Sequence, residues 1–194
     1  MRLNLVLIAV LVLAGCSVHT EKSADNKKPE RVDVKTPFGS IQVKAQPDPK
    51  ETGLSVYPGA RPHKDNSDDY DSANVNISNS MFGVKVVAAS FESDDSPAKV
   101  LDFYRKQMKS YGPVLECKSG GHGHGHFGRH DNGKADEPVT CENGPADPNR
   151  IAEDGVELKV GTHNRQRIVG IEPQGKGTKF ALVYVQLRGK EGEV

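Results

Sequence analysis

One stretch of the chain repeats its apolar residues clearly at helical spacing, and that limits the folds open to it. Ser96-Pro97 supplies a helix cap followed by proline at the first helical position. Val100, Phe103, Tyr104, Met108 and Tyr111 then recur every three or four residues, and Gly112-Pro113 ends the run. Elsewhere apolar and polar residues alternate in short stretches bounded by turn residues. One of these, over 75–77, is weak and another, over 84–91, is stronger. Further ones follow over 114–117, 156–160, 165–172 and 179–188, with Gly175-Lys176-Gly177 as the last hairpin turn. A doubly wound α/β fold would need more helices than this. The pattern predicts an α+β domain over 52–190, with one main helix packed on one face of a mainly antiparallel sheet. On that reading the helical stripe is core, not a cofactor site.

The chain opens with Met1-Arg2-Leu3-Asn4, continues with nine apolar residues from Leu5 to Leu13, and reaches Ala14-Gly15-Cys16. Charge, apolar run and small residues, in that order, make a secretory signal over 1–15. The run is too short for a permanent span, which needs about 20 residues. Leu13-Ala14-Gly15-Cys16 resembles the lipobox of bacterial lipoproteins. The resemblance implies cleavage before Cys16, a diacyl or triacyl (palmitate-type) modification of that cysteine, and the membrane as a partner. Two or more acyl chains suffice for stable anchoring. Ser17, not being Asp, implies sorting to the outer membrane, facing the periplasm or the surface.

Removal of residues 1–15 takes away Arg2 alone among the charges, leaving 25 basic against 26 acidic side chains, a balance that gives no reason to expect nucleic acid. Three cysteines less the lipidated one leave Cys117 and Cys141, an even pair in an exported chain, and this predicts a disulfide. Closing a loop of about 25 residues would stabilise the fold by about 3 kcal/mol in the chain-entropy account.

Residues 17–30 show no apolar period and read, with Cys16, as a flexible tether. Val32 and Val34, a turn at Pro37-Phe38-Gly39, then Ile41 and Val43 predict a small hairpin within 31–51, closed by a linker at Gln46-Pro47-Asp48-Pro49. Residues 54–60 read as an extended lead-in with a type II turn at Pro58-Gly59. Residues 61–73 are turn-rich and acidic, and 118–155 form a long Gly-, Asn- and Pro-rich insertion. The segments Val56-Tyr57-Pro58-Gly59-Ala60 and Ser93-Asp94-Asp95-Ser96-Pro97, running on to Phe103-Tyr104-Arg105, resemble a module of uncharacterised bacterial lipoproteins and exported proteins. That resemblance covers 52–115. It implies a fold and an envelope location, and it brings no catalytic residues.

The most unusual segment places His122, His124, His126 and His130 within nine positions, four of the chain's seven histidines. Imidazole is a ligand for zinc, nickel and copper, and His-rich tracts are a compositional metal signal. Glycine at every second position fixes no ligand geometry, so the same segment also reads as a surface loop that binds metal only as a purification tag does. The acidic run over 65–71 lacks the glycine and the bidentate glutamate of a calcium loop, Tyr70 and Asn76 standing in their places. Ser96-Pro97-Ala98-Lys99 has the spacing of a serine and lysine nucleophile pair without its companion motifs. No nucleophile elbow, zinc helix, phosphate loop or dinucleotide fingerprint is present. The expectation is a membrane-anchored envelope domain that binds an envelope protein or ligand, or is structural, and is not an enzyme. Metal handling through the histidine segment is the alternative, and an envelope hydrolase built on His163 or His130 is the second alternative.

Overall fold

The computed structural model describes residues 16–22, 29–64, 72–119 and 136–189. The signal segment 1–15, the acidic run 65–71 and His122, His124, His126 and His130 lie outside the described residues. Ten described strands form one sheet with antiparallel pairing throughout: β1 (Ser17–Lys22), β2 (Pro29–Thr36), β3 (Gly39–Lys44), β4 (Arg61–Pro62), β5 (Ser72–Ser78), β6 (Phe82–Ser93), β7 (Leu115–Lys118), β8 (Val156–Thr162), β9 (Arg165–Gln174) and β10 (Gly177–Gly189). Their order is β1-β2-β3-β5-β6-β10-β9-β8-β7, and β4 pairs with the end of β6. One long helix, α1 (Pro97–Met108), continues into a 3-10 turn over Lys109–Tyr111, and α2 (Ile151–Asp154) is a single turn. The expected α+β class, one helix on a mainly antiparallel sheet, is the one observed.

Strand alternation sends every second side chain toward α1. Register aligns Phe91, Phe180, Ile171 and Val156 in one row across β6, β10, β9 and β8, and Ala89, Leu182, Val169 and Leu158 in the next. All eight are buried, and α1 closes over them with Val100, Leu101, Tyr104 and Met108. Phe180 stacks on Phe91 at 5.6 Å, and Tyr104 lies 5.5 Å from it. The buried stripe of the helix is therefore 100/101/104/108. Phe103 is only partly buried, and Tyr111 leaves the stripe, 38% exposed, its phenol hydrogen-bonded to the Gly53 carbonyl and its ring under the Arg167 guanidinium at 3.7 Å. Ser96 stands at the expected cap position with extended backbone, but its hydroxyl makes no cap bond.

Two parts of the expected organisation differ from the structure. Ser17–Lys22, read as tether, is an edge strand paired along β2 from Ser17↔Lys35 to Lys22↔Pro29. Only Val18 and Thr20 mark its alternation, too little signal against polar neighbours. The hairpin within 31–51 is not a separate unit: β3 pairs with β5 from Ser40↔Ser78 to Lys44↔Asn74 and so carries β1 and β2 into the main sheet. A lone hairpin is marginal in water, and edge pairing satisfies its backbone. Gly59 has φ 76° and Ala60 N–H donates to the Tyr57 carbonyl at 3.0 Å, as the type II turn requires. Gly177 permits close backbone approach at the last hairpin, since a Cβ there would collide with the Ser93 carbonyl oxygen.

Candidate functional site

Cys16 is a free thiol, exposed, and directly precedes β1. The register of Ser17 with Lys35 sets it beside the turn that joins β2 to β3. Antiparallel pairing then brings the β5–β6 turn and the last residues of β10 to this same end, through Ser40↔Ser78, Ser78↔Gly83 and Gly189↔Phe82. The turns there present Phe38 at 88% exposure and Met81 at 64%. Side chains pin both turns. The Thr36 hydroxyl accepts from Phe38 N–H at 3.2 Å, and the Asn79 side-chain oxygen accepts from Met81 and Phe82 N–H at 2.7 Å each.

The face of the sheet opposite α1 continues this surface. Register aligns Val18, Val34, Ile41, Ile77, Val84 and Leu187 in one row across β1, β2, β3, β5, β6 and β10. The next row holds Thr20, Val32, Val43, Val75, Val86 and Val185. Apart from Thr20, both rows are aliphatic. Val18, Thr20, Ile41, Val43 and Leu187 are exposed, Val185 is buried, and the other six are intermediate. Alternation was legible in the sequence for β2, β3, β6 and β10, faint for β5 and not legible for β1. That these stretches align into rows on the helix-free face was not legible, because register is a tertiary property.

Cys117 and Cys141 form the expected disulfide, with Cα atoms 5.2 Å apart and a separation of 24 in sequence. Cys117 is buried in β7. Around the bridge, Lys118 N–H donates to the Gly144 carbonyl, Ala146 N–H to Glu116, and Val139 N–H to Gly161, so the segment 136–146 is held along the sheet edge. Among the described residues no three His, Cys, Asp or Glu side chains converge on a point suited to a metal. The four histidines of the insertion lie outside the described residues.

Around the start of α1 several polar groups are engaged with one another. Tyr57 N–H donates to the Tyr104 phenol at 3.0 Å, and the Tyr57 phenol donates to Asp95 at 2.9 Å, while Lys99 holds the other Asp95 oxygen at 2.6 Å. Burial pushes both phenols above the ordinary range, with the Asp95 hydrogen bond adding to the effect at Tyr57, so both stay protonated. Asp95 is held low, first by Lys99 and then by Tyr57, and Asp94 is held low by the bidentate grip of Arg61 at 3.0 Å. Burial alone would raise Glu51, but the hydrogen bond and charge of Lys85, the charge of Lys44 and the Asn74 amide outweigh it and keep the carboxylate low. A perturbed base beside a nucleophile is not what these shifts describe; they describe satisfied ion pairs.

Lys99 is committed to Asp95, so the Ser96 and Lys99 spacing forms no nucleophile pair. His163 stands in the β8–β9 turn, its N–H on the Glu137 carbonyl at 3.0 Å. His130 lies outside the described residues. A depression of about 440 Å³ is lined by Asp48, Pro49, Lys50, Gly53, Leu54, Ser55 and Val56, and Asp48 in it already accepts from Lys50 N–H at 2.9 Å. Its lining contains no histidine or cysteine. Among the described residues, Asp33 Oδ1 and Asn76 Oδ1 are buried without a hydrogen-bond partner, on the helix-side row that runs Asp33, Gln42, Asn76, Lys85. None of the described helices is long and apolar enough to cross a membrane. Comparison of the chain with family models, with curated proteins and with solved structures returns no match.

Proposed function

We propose that the protein is a lipid-anchored domain of the bacterial cell envelope, non-enzymatic, which binds an envelope protein or ligand or serves a structural role. The observation that carries the reading is Cys16: it ends a signal-like segment with small residues before it, and its thiol is exposed and unpaired where the fold begins. An acyl acceptor needs that accessibility, and a disulfide elsewhere uses the other two cysteines. The signal-like order of residues 1–15 accounts for export, and the pairing of Cys117 with Cys141 suits an oxidising compartment. Cys16→Ser removes the acceptor. Fatty-acid label enters the wild-type chain and is lost in the variant, which remains an unprocessed precursor; label retained in the variant ends the lipoprotein reading.

A second reading, capture or buffering of zinc, nickel or copper by His122, His124, His126 and His130, is favoured by one observation. The Cys117–Cys141 bridge brackets all four histidines and holds the two ends of their segment together. An envelope hydrolase has less support, since Asp94, Asp95 and Glu51 on the helix side are held in ion pairs.

A further inference from the structure

We propose that the Cys16 end of the sheet is a membrane-contacting surface, in which the two aliphatic rows opposite α1, together with the Phe38 and Met81 turns, lie against the bilayer that holds the acyl chains. The inference rests on the lipid-anchor reading and goes further: the domain is seated on the lipid and does not hang from a spacer. The sequence leads one to expect about 14 residues of slack. Instead β1 starts at Ser17, and Val18 stands two residues from the anchor, about 7 Å along an extended strand. Strand spacing puts the β2–β3 turn about 7 Å and the β5–β6 turn about 17 Å from β1 across the sheet. The aliphatic rows extend over six strands, about 24 Å. Val18, Ile41, Val43 and Leu187 of these rows and Phe38, Met81 and Phe82 at the turns are exposed together, and grouped apolar exposure marks an interaction surface.

Lipid fits this surface better than a second copy of the chain does. Residues 35–40, 78–84 and 187–189, which build the end, contain Lys35 and Arg188 and no Asp or Glu. Cations at that rim complement anionic headgroups, whereas two copies packed with these ends together would oppose like charges. Phe38 and Met81 sit at turn tips, beyond the ends of the strands, and a face-to-face pairing of two sheets would leave them in water. Tips held rigidly by Thr36 and Asn79 enter an interface without first losing conformational freedom.

The test uses the full-length precursor, processed in cells and reconstituted as mature protein into vesicles of phosphatidylethanolamine and phosphatidylglycerol. With Cys117 and Cys141 bridged and Cys16 acylated, an introduced cysteine is the one free thiol for an environment-sensitive fluorophore. Phe38→Cys, Met81→Cys and Ile41→Cys report on the proposed surface, and Lys176→Cys reports on the opposite end of the sheet. Emission at 38, 81 and 41 shifts to the blue and is lost when brominated-chain lipids are used, while emission at 176 stays water-like. Water-like emission at 38 and 81 from protein whose mass shows the acyl chains overturns the seated orientation and leaves the lipoprotein reading standing. A signal at 41 that instead follows protein concentration in detergent assigns the face to a second copy and overturns the proposal. Absence of acyl mass on the mature chain removes the lipoprotein reading and this proposal with it.

Discussion

Tyr104 illustrates how much can rest on one side chain in a domain with a single long helix. It is fully buried, packs against Phe180 and Phe103, and accepts the Tyr57 N–H from the lead-in segment. The sequence places Tyr104 in the core stripe, because its position in the helical repeat is unambiguous. What it could not supply is the partner, since Tyr57 lies 47 positions away. Tyr104→Phe keeps the ring and its packing and leaves the Tyr57 N–H without an acceptor in a half-buried position. The expected cost is about 1–2 kcal/mol, the penalty of an unmade bond offset by partial access to water. Denaturant unfolding should show a lower midpoint with an unchanged slope. A midpoint equal to wild type would mean that the N–H finds another partner.

Among the elements, α1 and β7 are joined by Arg105, whose guanidinium meets Glu116 at 2.7 and 2.9 Å. The hydrogen bonds from Arg105 hold the Glu116 carboxyl below its ordinary value against a smaller opposing effect of burial. A carboxyl depressed in the folded state contributes its stability in full above its unfolded value, near 4.5, and loses it as pH falls through the folded one. Glu116→Gln is therefore less stable than wild type at pH 7 and converges on it toward pH 3. The side chain is about a third exposed, so the difference at pH 7 is below about 1 kcal/mol. Thermal unfolding of both proteins at pH 7, 4.5 and 3 checks the convergence; a constant gap would assign the effect to packing. α1, β6, β8, β9 and β10 were legible in the sequence because each carries several apolar residues in one period. β1 was not, because two positions in six carry its pattern, and β5 was only faint because Asn74 and Asn76 interrupt the apolar residues from the helix side. The candidate surface was half legible: Cys16 announces itself by its neighbours, whereas the aliphatic rows exist only once six strands are in register.

For the whole molecule, the disulfide decides how the insertion is tied to the sheet. Its bridge fixes 136–146 to an edge made by the short β7 and by β8, where Val139 is buried and Ala146 packs at the margin of the core. In the chain-entropy account it contributes about 3 kcal/mol, which for a chain of this size corresponds to about 6–12 °C in Tm. Cys117→Ala together with Cys141→Ala should show that loss by calorimetry while the core around Phe180 still folds. The same comparison bears on the metal reading. Bringing four imidazoles to one ion fixes backbone at about 1–2 kcal/mol per residue, set against about 10–16 kcal/mol returned by good structural zinc sites, so little remains for affinity. A bridge that already holds the ends of the segment 5.2 Å apart between Cα atoms removes part of that cost beforehand. If the histidines form a working site, the bridged protein binds zinc, nickel or copper more tightly than the double variant, and more tightly than an isolated peptide of residues 120–131. Calorimetric titration at pH 7.5 reads both differences. Equal and micromolar or weaker affinities in all three would make the segment an incidental chelator and remove metal handling from consideration, leaving the proposals of a lipid anchor and a membrane-seated sheet untouched.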